Sequence, residues 1–297
     1  MKHIASGANA AVKRARKLLQ KKGRDTDDAF IIEGFILIGD AVRAGVEIER
    51  VFVRGAASAG IIETELKELL TSDGEDSGVE PETRSAKSVT ETETAKGAPR
   101  GIEVVSLAED LFDALTDAVA PKGVIAVAKK PRRGTDMRGD ALLVFDRLQD
   151  PGNVGTIIRA ADAMGFDGVL CVKGTADPFS PKVVRAAAGA LFRIPVYECE
   201  GPDEALARLR AGGYLIAALD VRGEALCWDV DLTGRVAFVV GNEGGGVDAR
   251  FIDSSDITVR APMTEGTESL NVAVAAGMAM YERRRQIDAG GERATAG

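Results

Sequence analysis

The chain has 297 residues, 45% of them hydrophobic and 28% charged, with a net charge of −8 and a pI near 5.0. That length suits two domains or one large one, and the balance is that of a folded, core-forming protein. No stretch reaches the roughly 18 apolar residues that a membrane span needs, and the overall acidity excludes a uniformly basic nucleic-acid binder.

Residue counts remove several chemistries. His3 is the one histidine, so a Ser-His-Asp triad, a Cys-His pair and a His-rich metal site would all depend on it. Cys171, Cys199 and Cys227 are widely spaced without a CxxC pair, which predicts neither a disulfide framework nor a zinc site and fits a reducing cytoplasm. The first 22 residues are basic but lack the apolar block of a secretory signal, so none is expected.

Charge is unevenly spread. Residues 1–24 carry eight cations, among them Lys13, Lys21 and Arg24, with no acid before Asp25. A second basic cluster comprises Lys129, Lys130, Arg132 and Arg133. Between the two clusters, residues 71–100 hold seven acids and few large apolar side chains. Such a segment buries too little surface to offset its ordering entropy, which predicts a disordered loop. Without it, two local basic patches emerge, for which charge alone fits a solvated surface equally well.

Taken in chain order, residues 10–20 read as a basic helix ending near Gly23 and 30–33 as a short strand. Residues 34–44 read as a helix closed by Gly45, and 48–53 as a strand. Beyond the acidic segment, 104–105 and 124–128 are strands around a helix at 108–118. This alternation predicts a small α/β domain over 1–130. Proline, glycines and charge make 131–140 a linker. From Ala141 onward, runs at 141–145, 168–172, 214–219 and 236–240 are continuously apolar, as strands buried on both faces are. With amphipathic helices between them, 141–297 predicts a parallel sheet carrying helices on both faces and a ligand site at the carboxyl ends of the strands.

Three stretches at strand ends carry unusual chemistry. In DRLQDPGNVGTIIR (146–159), Pro151 and Gly152 make a turn and Asn153 is placed to cap a helix. Val154, Ile157, Ile158 and Ala161 form its buried stripe, and Gly155 leaves room beside Arg159 on another face. In VVGNEGGGVD (239–248), four glycines follow a buried strand, letting main chain approach a ligand closely. This is neither a dinucleotide fingerprint nor a P-loop, since Glu243 takes a glycine position and Val247-Asp248 stand where Lys-Ser/Thr would. A carboxylate there favours a cofactor without phosphates. In 257–281, an irregular loop leads through Ser269 into a helix whose Val272, Ala275, Ala276, Ala279 and Met280 give a small-residue face. That face suits core packing or a subunit interface. Each stretch alone also fits a plain structural role.

Together they resemble the SpoU/TrmH branch of the SPOUT superfamily, the RNA ribose 2′-O-methyltransferases. The motifs N-x-G-x-x-x-R-x-A, G-N-E-G-x-G and S-L-N-V-A-x-A stand here as Asn153 to Ala161, Gly241 to Gly246 and Ser269 to Ala275, in order. DPFSPKVVRAAAGALFRIPV (177–196) is also family-like, and FIIEG and KKGR resemble the ribosomal-protein-like substrate-binding domain of rRNA-modifying members. The resemblance implies a deep trefoil knot and S-adenosylmethionine held by Gly241, Asn242, Gly244, Ala261, Met263 and Leu270, largely through main chain. The family often has isoleucine where Ala261 stands. It implies a catalytic set of Arg159, Asn153, Glu243, Ser269 and Asn271, with no metal, and a homodimer in which each site is partly completed by the partner. A guanidinium stays protonated near neutral pH, so Arg159 is expected to hold the target phosphate and stabilise alkoxide charge, not to act as a base. Lys13, Lys21, Arg24, Lys182 and Arg185 are the expected RNA contacts. The N-terminal domain favours large-subunit rRNA; the alternatives are tRNA methylation or a non-catalytic RNA-binding or ribosome-assembly protein on the same fold.

Overall fold

The computed structural model describes residues 2–55, 102–116, 121–131 and 136–295, with side chains up to residue 290. The acidic segment 71–100, the end of the helix expected at 108–118, and Arg132 and Arg133 lie outside the described residues.

The first half forms a five-stranded sheet of β1 (Lys2–Ile4), β2 (Ala29–Glu33), β3 (Ile48–Arg54), β4 (Glu103–Leu107) and β5 (Val124–Lys129), in the order β1-β4-β3-β5-β2. The first three strands in that order run parallel, and β5 is antiparallel to both β3 and β2. Helices α1 (Ala10–Leu18), α2 (Lys21–Asp27), α3 (Phe35–Arg43) and α4 (Glu109–Asp113) pack on it. Where a single helix was expected to end near Gly23, there are two: Gln20 is extended, and Gly23 lies inside α2. Asn9 caps α1 by accepting the Ala11 N–H at 2.9 Å. Val12, Ala15 and Leu18 are buried along one side of α1, so Lys13, Arg16 and Lys17 face solvent.

The second half is a seven-stranded sheet of β6 (Ala141–Asp146), β7 (Gly168–Val172), β8 (Val196–Cys199), β9 (Leu215–Leu219), β10 (Ala225–Leu226), β11 (Val236–Gly241) and β12 (Ile257–Arg260). The order is β10-β12-β9-β11-β6-β7-β8, with every pair parallel. The continuous apolar runs arise because both faces are covered. Leu143 and Phe145 point into one core with α5 (Pro151–Ala163), α6 (Pro181–Ala187) and α9 (Val272–Thr295). Leu142 and Val144 point into another with α7 (Pro202–Ala211) and α8 (Ala249–Ser254). Val154, Ile157, Ile158 and Ala161 are fully buried as expected, the larger three contributing about 1.5–3 kcal/mol each. The short β8 and β10 were not foreseen.

The first core continues into the N-terminal half. Phe30, Ile32, Ile38 and Ala41 belong to the same cluster as Phe179, Val183, Val184 and Phe192. Among the described residues, no helix is long and apolar enough to cross a membrane.

Candidate active site

The loops that leave β9, β11 and β12 converge at the carboxyl ends of the parallel strands. With the entry to α9 they enclose a cavity of about 540 Å³, the size of a small-molecule site. Its walls include residues 219–222, 240–246, Ala261, Met263, 268–272 and Ala275. All six residues expected to hold a cofactor, and Glu243, Ser269 and Asn271 of the expected catalytic set, line it.

The glycine-rich loop is shaped by its own main chain. Asn242 and Gly246 pair through both N–H groups, at 3.0 and 2.9 Å, folding the loop back on β11. A Cβ at Gly241 would stand 2.2 Å from Gly246 C and Val247 N. Only glycine permits that approach. The Asn242 Oδ1 accepts the Gly244 and Gly245 N–H groups at 2.9 and 3.1 Å, while its Nδ2 donates to the Arg147 carbonyl at 2.9 Å. Its side chain therefore braces the loop, and main chain is what the loop offers the cavity.

The three separated motifs meet in one hydrogen-bonded chain. Asn271 Nδ2 donates to Asn153 Oδ1 at 3.1 Å, and Asn153 Nδ2 donates to Glu243 Oε1 at 3.1 Å. Glu243 also accepts the Gln149 and Asp150 N–H groups, each at 3.2 Å. Partial burial would raise its carboxyl, but the bond from Asn153 and those from main-chain N–H groups prevail and hold it below the ordinary carboxylate value. Asn271 Oδ1 accepts the Ala273 N–H at 2.8 Å, capping the last helix.

Several expectations need correction. Asn153 is not the helix cap. Asp150 is, accepting the Asn153 N–H at 2.9 Å, and Pro151 and Gly152 already belong to the helix. Asn153 thus sits in the first turn with its side chain free to bridge. Gly155 does not make room for Arg159: a Cβ there would lie 2.5 Å from the Ala186 Cβ and 2.8 Å from the Val183 carbonyl oxygen. The glycine serves the close contact of α5 with α6. Of the two roles open to the small-residue face of α9, Ala276, Ala279 and Met280 fill the core one, buried within this chain, while Val272 and Ala275 line the cavity.

Arg159 is not brought to this cavity. It is exposed on α5, six residues beyond Asn153, and has no hydrogen bond or ion pair among the described residues. Of the expected RNA contacts, Lys13 and Lys21 are exposed, and Lys182 is exposed at 3.9 Å from Asp150. Arg24 is a correction. Only 3% exposed, it is paired with Asp177 inside the joint between the two halves, where no phosphate can reach it. Arg185 turns toward Glu33 at 3.4 Å in the same joint. Lys129 and Lys130 are engaged by Glu49 and Asp25.

The sequence reading passed over Asp146 and Arg147. Asp146 is fully buried and accepts Arg147 Nε at 2.8 Å and the Asp248 N–H at 2.7 Å, tying the loop after β6 to the glycine-rich loop. An acid ending an otherwise apolar strand was the available signal. Asp220 and Arg222, on the wall after β9, were also missed. The three cysteines are buried and free; burial pushes Cys199 up to about 11, keeping it a thiol. Among the described residues, no three His, Cys, Asp or Glu side chains cluster as metal ligands.

Comparison with known proteins gives this geometry its relatives. Residues 140–281 match the SpoU rRNA Methylase family, and 9–126 match the MRM3-like substrate binding domain. The chain is 34% identical, over 96% of its length and all of the relative's, to the 23S rRNA (guanosine(2553)-2′-O)-methyltransferase RlmP of Bacillus subtilis. It is 36% identical to the 23S rRNA (uridine(2479)-2′-O)-methyltransferase of Streptomyces viridochromogenes, over 62% of this chain and 68% of the relative. Among solved structures, the SpoU methyltransferase AviRb from Streptomyces viridochromogenes in complex with AdoMet superposes with a TM-score of 0.76 at 28% identity, covering 94% of this chain and 98% of that one. Motifs, sheet and relatives agree along nearly the whole length, and the chain belongs to the SpoU rRNA methylase family.

Proposed function

We propose that this protein methylates a ribose 2′-hydroxyl of large-subunit rRNA in the cytoplasm, using S-adenosylmethionine. The SAM-dependent RNA 2′-O-methyltransferase activity follows from the family and its rRNA-modifying relatives. The observation that carries it to these residues is the convergence of the second and third motif loops on one cavity, with Asn153 of the first motif hydrogen-bonded to both.

The cavity fits the cofactor. A Cβ at Gly241 would strike the main chain of Gly246 and Val247 and force the folded-back loop open, and the acid within 241–246, Glu243, is turned to Asn153 and the start of α5. Gly241, Gly244, Ala261, Met263 and Leu270 would hold the cofactor largely through main chain, with Asn242 bracing the loop. When bound, it supplies an electrophilic methyl carbon on a positively charged sulfur. Arg159 grips the target phosphate and stabilises the charge that develops on the 2′-oxygen. The hydroxyl proton leaves to phosphate or water, since guanidinium is no base. Asn153, Asn271, Glu243 and Ser269 fix the loops so that the oxygen is held in line with the methyl, and this positioning lowers the barrier.

We assign residues 1–130 as the ribosomal-protein-like RNA-binding domain, 131–140 as linker and 141–297 as the knotted methyltransferase domain, with no metal required. The exposed Lys13, Lys21 and Lys182 are the phosphate contacts. A homodimer is supported by Arg159 standing outside its own cavity, and by Val274 and Tyr281, exposed 51% and 58% two turns apart on α9.

The test is incubation with labelled methyl donor and separated rRNA and tRNA, with sedimentation of the free protein. Ribose methylation of large-subunit rRNA by a dimer is the expected result. Labelling confined to tRNA, or no cofactor binding by calorimetry, overturns the reading.

A further inference from the structure

The two halves are joined by more than a linker. Arg24, on α2, donates Nε to Asp177 Oδ2 at 2.6 Å and Nη1 to the Leu18 carbonyl at 2.7 Å. The side chains of the pair are 4% and 8% exposed. Asp177 uses its other oxygen to accept the Phe179 N–H at 2.8 Å, and its carbonyl accepts the Ser180 N–H at 3.0 Å. One residue thus holds α2 and also shapes the turn that starts α6. Phe179 from that turn packs edge-on to Phe30 of β2, ring centroids 5.1 Å apart. Farther along α6, Arg185 reaches Glu33, itself bonded by Thr116 at 2.6 Å.

A buried ion pair adds little net stability, because desolvation of both charges offsets their attraction. Its consequence is directional: it permits one arrangement of α2 on α6. The next contact transmits that arrangement. At Gly155, α5 lies close against α6, meeting the Ala186 methyl and the Val183 and Ala187 main chain, with no long side chain between them to absorb a shift. Asn153 and Arg159 both stand on α5.

We propose that Arg24 and Asp177 are positioning residues, their buried pair fixing the N-terminal domain to α6 so that RNA held on α1 and α2 is presented to α5 at one distance and angle. This rests on the RNA-methylation reading for its consequence, but the joint itself can be tested without catalysis.

The experiment uses the full chain with spin labels at Thr26→Cys on α2 and Asp253→Cys on α8, both exposed; the three native cysteines are buried. The expected result is a single narrow inter-label distance that broadens in Asp177→Asn, a change that keeps an oxygen for the Phe179 N–H. In unlabelled protein, Asp177→Asn should leave cofactor and rRNA dissociation constants within about twofold while kcat falls about ten- to a hundredfold, as a displacement near 1 Å would cause. A change confined to folding would instead lower the cofactor-binding fraction and leave kcat per bound cofactor unchanged. If Asp177→Asn does not fold, Arg24→Lys, which keeps the charge and loses the fork, gives the same readings. A broad distance in the parent, or a narrow one with unaltered kcat in the folded variant, overturns the proposal. Absence of methylation in the parent with a narrow distance that broadens would instead sink the activity and leave the joint standing.

Discussion

At the rim of the cavity, Asn153, Asn242, Glu243 and Asn271 spend their hydrogen bonds on one another and on neighbouring main chain. On α1 and the start of α2, Lys13, Arg16, Lys17, Lys21 and Lys22 are exposed and have no acid within ion-pair distance among the described residues. The two regions solve different problems. A small cofactor must present one atom at one angle, and prior organisation of the loops removes the reorganisation cost from the reaction itself. A polyanion is gripped by many mobile charges whose benefit comes from releasing its counterions. Arg159, like the lysines, has no partner among the described residues but is assigned to the chemistry, and it separates the two behaviours experimentally.

The largest expected effect is at that residue. Arg159→Ala should lower methyl transfer about 10²- to 10³-fold while cofactor affinity, read by calorimetry, stays unchanged. Arg159→Lys retains charge without the fork; turnover near that of the parent would remove the bidentate role.

Gly241→Ala tests the organised side. Its Cβ would stand 2.2 Å from the main chain of Gly246 and Val247, so the loop must open. Cofactor affinity should fall at least about tenfold, roughly 1.4 kcal/mol. Unchanged affinity would mean that the loop's fold does not matter to the cavity.

The solvated side should respond to salt. Lys13→Ala with Lys21→Ala should weaken rRNA binding several-fold and reduce the slope of log affinity against log salt by about 0.7 per lysine if the contacted RNA is single-stranded. Cofactor binding should not move. A slope equal to the parent's would place the RNA elsewhere.

The smallest effect concerns pH. Arg250 hydrogen-bonds Asp248 and, against a modest desolvation, lowers its carboxyl from 3.8 to about 2. A carboxyl depressed by folding stabilises the fold fully above its unfolded value, and that contribution is lost as pH falls through the folded one. Asp248→Asn should therefore be less stable than the parent near neutral pH, with the gap in melting temperature closing between about pH 4 and pH 2. A gap constant with pH would assign the loss to the helix cap instead of the charge.

Much of the second half was legible. Strands buried on both faces read as unbroken apolar runs, and the α5 stripe of Val154, Ile157, Ile158 and Ala161 repeats with helical period, because local geometry alone sets which side chains share a face. Less was legible where a partner far along the chain decided the outcome. Arg24 looks like the other cations of its segment, and its acid lies 153 residues away. Asn153 is caught across the chain by Glu243 and Asn271, 90 and 118 residues away, while the cap role it resembles falls to the nearby Asp150. The small residues of α9 suit a core or a subunit interface equally until the fold places Ala276, Ala279 and Met280 in the core.

The sequence by itself determined the two-part α/β layout, the buried strands and the three glycine- and asparagine-bearing stretches, since these follow from periodicity, residue size and backbone freedom. Only the tertiary structure decided that two of those stretches share one cavity with the third hydrogen-bonded to them, that Gly155 is a helix contact, and that Arg24 belongs to a joint. The physical reason is range: periodicity acts over a few residues, whereas burial of a charge or closure of a pocket depends on chain segments that meet only after folding.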